Sequence, residues 1–173
     1  MIIDSILMWG YCLDKLSWIK ELVSAEQAME ESGVISITTG FNPERQLYGE
    51  TLSMLQHLKH EFVEAASAFN QLKNSPLGRV KVYGISETKA DFMLFRNGFK
   101  LIFSMSQPGK VSMRFHQSTQ INPAFENASP SEEFLIAEWG PFGDLLWTYN
   151  EKPVKTPYLI KYYTTRFIHE SAK

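Results

Sequence analysis

The chain of 173 residues has one cysteine, Cys12, no long apolar run, and no large excess of either charge. A single cysteine excludes an intramolecular disulfide, and an apolar-flanked thiol fits a reducing compartment, so a cytoplasmic protein is expected. The uncharged stretch Ser5–Leu13 near the start is far shorter than the ~20 residues a membrane-spanning helix needs. Asp4 stands where a secretory leader carries Lys or Arg, and no small-x-small pattern follows promptly. Met1–Leu13 therefore reads as the beginning of a helix. Lys plus Arg total 17 and Asp plus Glu total 19, a net charge of −2, with 44% hydrophobic and 21% charged residues. Those values exclude a disordered tail, a collagen-like repeat and a strongly basic nucleic-acid binder.

Familiar catalytic signatures are missing too. The chain contains no Gly-x-Ser-x-Gly, no P-loop and no Gly-x-Gly-x-x-Gly, which removes the nucleophile elbow and two common phosphate cradles. His57, His60, Glu61 and Glu64 have the spacing of helical metal ligands, but they lie opposite the apolar stripe of their helix. They read as a solvated face. Glu138 and Asp144 flank the turn Trp139–Asp144 and read as part of a strand connection in which Phe142 packs. With His116, they are the only residues that suggest acid–base chemistry. No cofactor and no metal site is expected.

The charge that is present is unevenly placed. Residues 1–75 carry five Lys/Arg against ten Asp/Glu, residues 76–120 seven against two, and residues 121–173 five against seven. An acidic helical portion, 1–75, thus precedes a strand-rich portion with a basic start, 76–173. The joint at Ser75-Pro76 reads as internal to one α+β domain.

Apolar spacings of three and four predict a helix over about 3–23. Ser24-Ala-Glu-Gln27 resembles a capping box, which predicts a second helix to about Ser32, stopped by Gly33. Val34–Thr38 is β-prone. Asn42-Pro43 opens a helix of about thirty residues whose seam runs Leu47, Thr51, Leu55, Leu58, Phe62, Ala65, Phe69 and Leu72. Asn74-Ser75-Pro76 ends it. So regular a seam suits either a cover for the chain's own sheet or a coiled coil with another chain.

The centre reads as an antiparallel meander: Arg79–Ile85, Ala90–Arg96, Phe99–Ser106 and Lys110–Gln117. The two-residue turn Asn97-Gly98 sets Leu94 opposite Leu101, Phe92 opposite Phe103 and Ala90 opposite Met105. With Val111, Met113 and Phe115 this makes one wholly apolar face, for which the long helix is the cover. Glu133–Trp139 and Leu145–Tyr149 follow as strands. Thr156-Pro157 opens a last helix to about His169 with Leu159, Ile160, Tyr163 and Phe167 inward. The expected architecture is α+β: a meander sheet of five to six strands, a long helix on one face, and helices at both termini.

The second sheet face is mixed. Lys81, Tyr83, Phe95, Lys100, Ile102, Lys110, Arg114 and His116 share it, and a merely solvated face carries fewer large apolar groups. It is the expected ligand or partner face. The stretch Asn97–Phe103 lacks the leading basic residue and the small residue of an RNA-recognition strand, and the net charge of −2 disfavours phosphate-driven affinity. The function expected is a non-catalytic protein-interaction or assembly module that self-associates, in the simplest case as a homodimer. The alternative is a binding domain for an anionic or partly apolar small molecule or nucleic acid, held on the basic sheet face or in a pocket beside the C-terminal helix.

Overall fold

A computed structural model describes residues 15–34, 43–117 and 132–172, and the chain divides into two compact units, residues 1–43 and 44–173. Cys12, most of Val34–Thr38, the Asn42 cap and residues 118–131 lie outside the described residues. Among the described residues, no helix is long and apolar enough to cross a membrane.

In the first unit, α1 is one helix, Lys15–Ser32. The helix break expected at Ser24 is absent: Ser24 lies within α1. A capping sequence acts only where the chain leaves helical geometry, and neither Gly nor Pro interrupts this one. Gly33 does end it, at φ +64° with its amide on the Met29 carbonyl at 2.9 Å. A left-handed residue at this position is the common helix stop.

Among the described residues, the second unit contains α2 (Pro43–Lys73), seven strands and α3 (Thr156–Glu170). The strands are β1 (Lys81–Gly84), β2 (Phe92–Arg96), β3 (Phe99–Gln107), β4 (Lys110–Gln117), β5 (Glu132–Trp139), β6 (Leu145–Tyr149) and β7 (Lys152–Pro153). They form one antiparallel meander in sequence order. The seventh strand, only two residues long, was not expected. It arises because Asn150 and Glu151 both adopt positive φ and fold the chain back beside β6.

Asn97 and Gly98, at φ 49° and 81°, make the tight turn between β2 and β3. The register follows from it: Phe92 pairs with Phe103 and Leu94 with Leu101. Ala90 lies before β2; its neighbour Asp91 instead accepts the Met105 amide at 2.9 Å through its side chain.

One sheet face carries the core. Leu55, Leu58, Phe62 and Ala66 of α2 pack with Phe92, Leu94, Leu101, Phe103, Val111 and Met113 of the sheet. Leu159, Ile160, Tyr163 and Phe167 of α3 join the same cluster, so two helices share the cover. Phe103 is the joint: its ring lies 4.9 Å from both Phe62 and Phe92 and 5.9 Å from Tyr163. The α2 seam does not run its full expected length. Leu72 is 87% exposed and Ala66 is buried instead of Ala65. A strict three-four alternation drifts around a helix of 3.6 residues per turn, so the last turn rotates its seam away from the core.

Polar ties hold the layers in register. Thr51, fully buried, donates its hydroxyl to the Leu47 carbonyl at 2.6 Å and accepts the Gly109 amide at 2.7 Å. Asn70 on α2 bonds both the amide and the carbonyl of Val80, acting as a one-residue strand partner. These bonds span Ser75-Pro76, and both sides of that joint belong to the same compact unit.

Candidate functional site

Alternation along each strand sends the residues between the core positions to the second face, and the register arranges them in rows. Lys81 pairs with Phe95, Phe95 with Lys100, and Lys100 with His116. The next row runs Tyr83, Met93, Ile102, Arg114 and Glu132. Lys110 lies further along β4, opposite Ile136. All eight residues expected on this face therefore share it, seven of them in two adjacent rows.

Both helices of the second unit lie on the opposite face. Met93, Phe95, Ile102 and Phe134 are half-buried, while Tyr83, Ile136 and Leu146 are 42–49% exposed. The charges are segregated. Outward positions of β1–β4 hold Lys81, Lys100, Lys110 and Arg114, whereas those of β5 hold Glu132 and Glu138. Arg114 reaches Glu132 at 4.0 Å, and the Lys110 ammonium lies 3.9 Å above the Phe134 ring. The Ser104 and Ser112 hydroxyls meet at 2.8 Å between these groups.

A second constellation, absent from the sequence reading, lies on the core side of the sheet. Glu133 faces inward opposite Met113. Its Oε2 accepts the hydroxyls of Tyr149, at 3.3 Å, and of Tyr163, and its Oε1 accepts Arg166 Nη1 at 2.7 Å. The Arg166 guanidinium also lies 4.2 Å from the centre of the Phe115 ring. Partial burial pushes the Glu133 carboxyl up, but the Tyr163 and Arg166 hydrogen bonds, the Arg166 charge and the Tyr149 hydroxyl outweigh it and hold it below its ordinary value. Burial and the neighbouring carboxylate push both tyrosines up, so they stay neutral and donating. Burial alone would lower Arg166, but Glu133 more than reverses this. Glu133 is a fixed carboxylate with its acceptors occupied, unsuited to carry a proton in catalysis.

Beside it, between β5–β7 and the first half of α3, is a groove of about 640 Å³. Leu135, Val154 and Leu159 give it apolar walls, Tyr149 and Tyr163 are held by Glu133, and Tyr158 and Tyr162 stand at its rim. Lys155 lines it as the N-cap residue of α3. The Thr156 cap expected from the sequence is thus displaced by one residue, and Lys155 offers no side-chain cap, because its ammonium has no acceptor for the helix amides. One sequence signal does point here: alternation along Glu133–Trp139 places a carboxylate in line with Leu135 and Ala137 on the apolar face. Such a residue needs partners, and Tyr163 and Arg166 supply them one helical turn apart.

The remaining candidates separate. His60 and Glu64 form an exposed pair at 3.4 Å, and among the described residues no three His, Cys, Asp or Glu side chains gather as metal ligands. Glu138 Oε1 accepts the Thr148 hydroxyl at 3.2 Å. Phe142, expected to pack, is 95% exposed at the turn tip, where a four-residue reversal leaves its side chain no core to reach.

No family model, no curated protein and no solved structure matches this chain.

Proposed function

We propose that the chain is a non-catalytic assembly module that self-associates through the second sheet face. The observation that carries this reading is the segregation of charge on a half-apolar face: four basic side chains on β1–β4 and two acidic ones on β5. Such a face is complementary to itself. A two-fold axis in the interface parallel to the strands sets β3 of one copy over β5 of the other, and β2 over β6. Lys100 then approaches the acidic strand of the partner. An axis perpendicular to the strands would set every strand on its own copy, whereas the first arrangement confines self-contact to β4, where Arg114 already reaches Glu132 at 4.0 Å. The apolar groups Met93, Ile102, Phe134 and Ile136 are covered in it in the manner of a β-sandwich. Seven strands spaced ~4.8 Å apart give a face about 29 Å wide, close to the scale of a standard interface of roughly 800 Å² per partner.

Sedimentation equilibrium of three proteins tests this. The native chain is expected to show twice its 19.9 kDa mass. Lys100→Glu with Arg114→Glu, and separately Glu132→Lys with Glu138→Lys, are expected to weaken the dimer at least tenfold. An equimolar mixture of the two variants, now of opposite charge, should recover a dimer. A native chain that stays at 19.9 kDa at millimolar concentration overturns the reading. So do variants whose mixture fails to associate.

A further inference from the structure

The groove beneath α3 lies on the opposite side of the sheet from the proposed dimer face, and its lining selects a ligand by charge and shape. From that lining we infer that it binds a hydrophobic carboxylic acid, a single anionic headgroup on a flat apolar body. At about 640 Å³ it is within the ordinary size range of small-molecule sites.

The apolar body is specified by the walls. Leu135 is fully buried and Leu159 nearly so, which gives the groove a rigid hydrocarbon floor. The Tyr149 and Tyr163 hydroxyls are both committed to Glu133. Tyr149, half-buried, therefore presents ring surface to the groove while Tyr163, almost fully buried, backs it, and both are held in one conformation before any ligand arrives. Tyr158 and Tyr162 are 71% and 57% exposed at the rim, where a ligand would cover them. Large tyrosine surface left in water beside an apolar hollow is the composition of a binding rim.

The headgroup is specified by charge. Among the described residues, Lys155 is the one cation in the lining and no carboxylate lines the groove; Glu133, behind the tyrosines, is neutralised by Arg166. The first turn of α3 contains no acidic side chain, so the positive end of the helix is not offset there by a carboxylate. A cationic ligand would meet Lys155 and that helix end with no counter-charge. A doubly charged anion would bring a second charge into an apolar lining that has one cation to answer it. A monoanion satisfies both conditions.

Naphthalene-2-carboxylate and its neutral isostere naphthalene-2-carboxamide test the inference at pH 7, with backbone amide shifts of the native full chain as the readout. The acid is expected to shift the amides of Val154, Lys155 and Leu159 saturably and to bind more tightly than the amide. Lys155→Gln should weaken the acid about two- to fivefold, the scale of one exposed ion pair, and leave the carboxamide unchanged. Tyr162→Ala should weaken both. Both substituted side chains are exposed, so the fold is kept, and the oligomeric mass should not change. Equal affinity for acid and carboxamide, shifts confined to the second sheet face, or no saturable shift at several millimolar would each overturn the inference. None of these results bears on self-association.

Discussion

Arg166 on α3 donates to Glu133 on β5 at 2.7 Å, on the side of the sheet that is otherwise the hydrophobic core. The pair is 29% and 18% exposed at its side chains, so it is neither a screened surface contact nor a fully desolvated one. Two tyrosine hydroxyls complete the carboxylate's coordination, and α3 is thereby pinned to β5 at its middle. A satisfied charge pair beside a core fixes geometry more than it adds stability, whereas removing one partner leaves the other stranded.

Glu133 makes stability depend on acid. Its folded-state pKa is lowered from the ordinary 4.5, so its contribution is present above that value and is lost as pH falls through the folded value. Glu133→Gln should destabilise the chain by about 1–3 kcal/mol at pH 7, measured by urea unfolding. The gap between native and variant should close as pH falls below the ordinary carboxylate value of 4.5 and through the lowered folded-state value. A gap that stays constant with pH would mean that the carboxylate charge is not what holds α3.

Arg96 should be at least as costly to replace, although its partners among the described residues are neutral oxygens. It is 6% exposed and donates to the carbonyls of Gly78 and Ile168, at 2.8 and 3.0 Å, and to the Ser171 hydroxyl at 3.0 Å. Its guanidinium also lies over the Phe69 ring, so one side chain ties α2, the loop after it and the end of α3. Arg96→Met keeps most of the volume but removes three donated hydrogen bonds and leaves the Gly78 and Ile168 carbonyls only the longer contacts from Lys73 and the Ser171 hydroxyl, an expected loss of about 2–4 kcal/mol in urea unfolding. Arg96→Lys should recover only part of this, because an ammonium cannot reproduce the planar fork.

Gly109 and Gly143 form a matched pair. Both have φ +81°, so alanine is strained at either. A Cβ on Gly109 would meet Leu47 Cδ2 at 3.0 Å, whereas one on Gly143 meets nothing within 4 Å. Gly143→Ala should therefore report the backbone strain alone, about 1 kcal/mol. Gly109→Ala should exceed it by roughly a further 1 kcal/mol as the α2 contact is pushed apart. Equal losses in thermal unfolding would show that Leu47 yields without resistance.

What could be read in advance was governed by short-range rules. The Asn97-Gly98 turn has two residues in left-handed geometry, which leaves one register for β2 and β3 and so decides the face of every residue on both strands. The same alternation placed Lys81, Tyr83, Phe95, Lys100, Ile102, Lys110, Arg114 and His116 together, because a strand's side-chain period of two needs no knowledge of the rest of the fold. Misreadings occurred where a local signal was permissive. Ser24 can cap a helix or sit inside one, and Thr156 can precede a helix or begin it.

The sequence by itself determined the alternation of strands, the tight turn, the span of α2 and the segregation of charge along the chain. Only the tertiary structure decided that α2 and α3 share one sheet face, that Arg96 reaches Ser171, and that Glu133 meets Tyr149, Tyr163 and Arg166. The physical reason is separation. Glu133 and Arg166 are 33 positions apart and Arg96 and Ser171 are 75 apart. No periodicity relates such residues; they meet because two helices compete for one apolar surface and the polar groups caught between them must find partners.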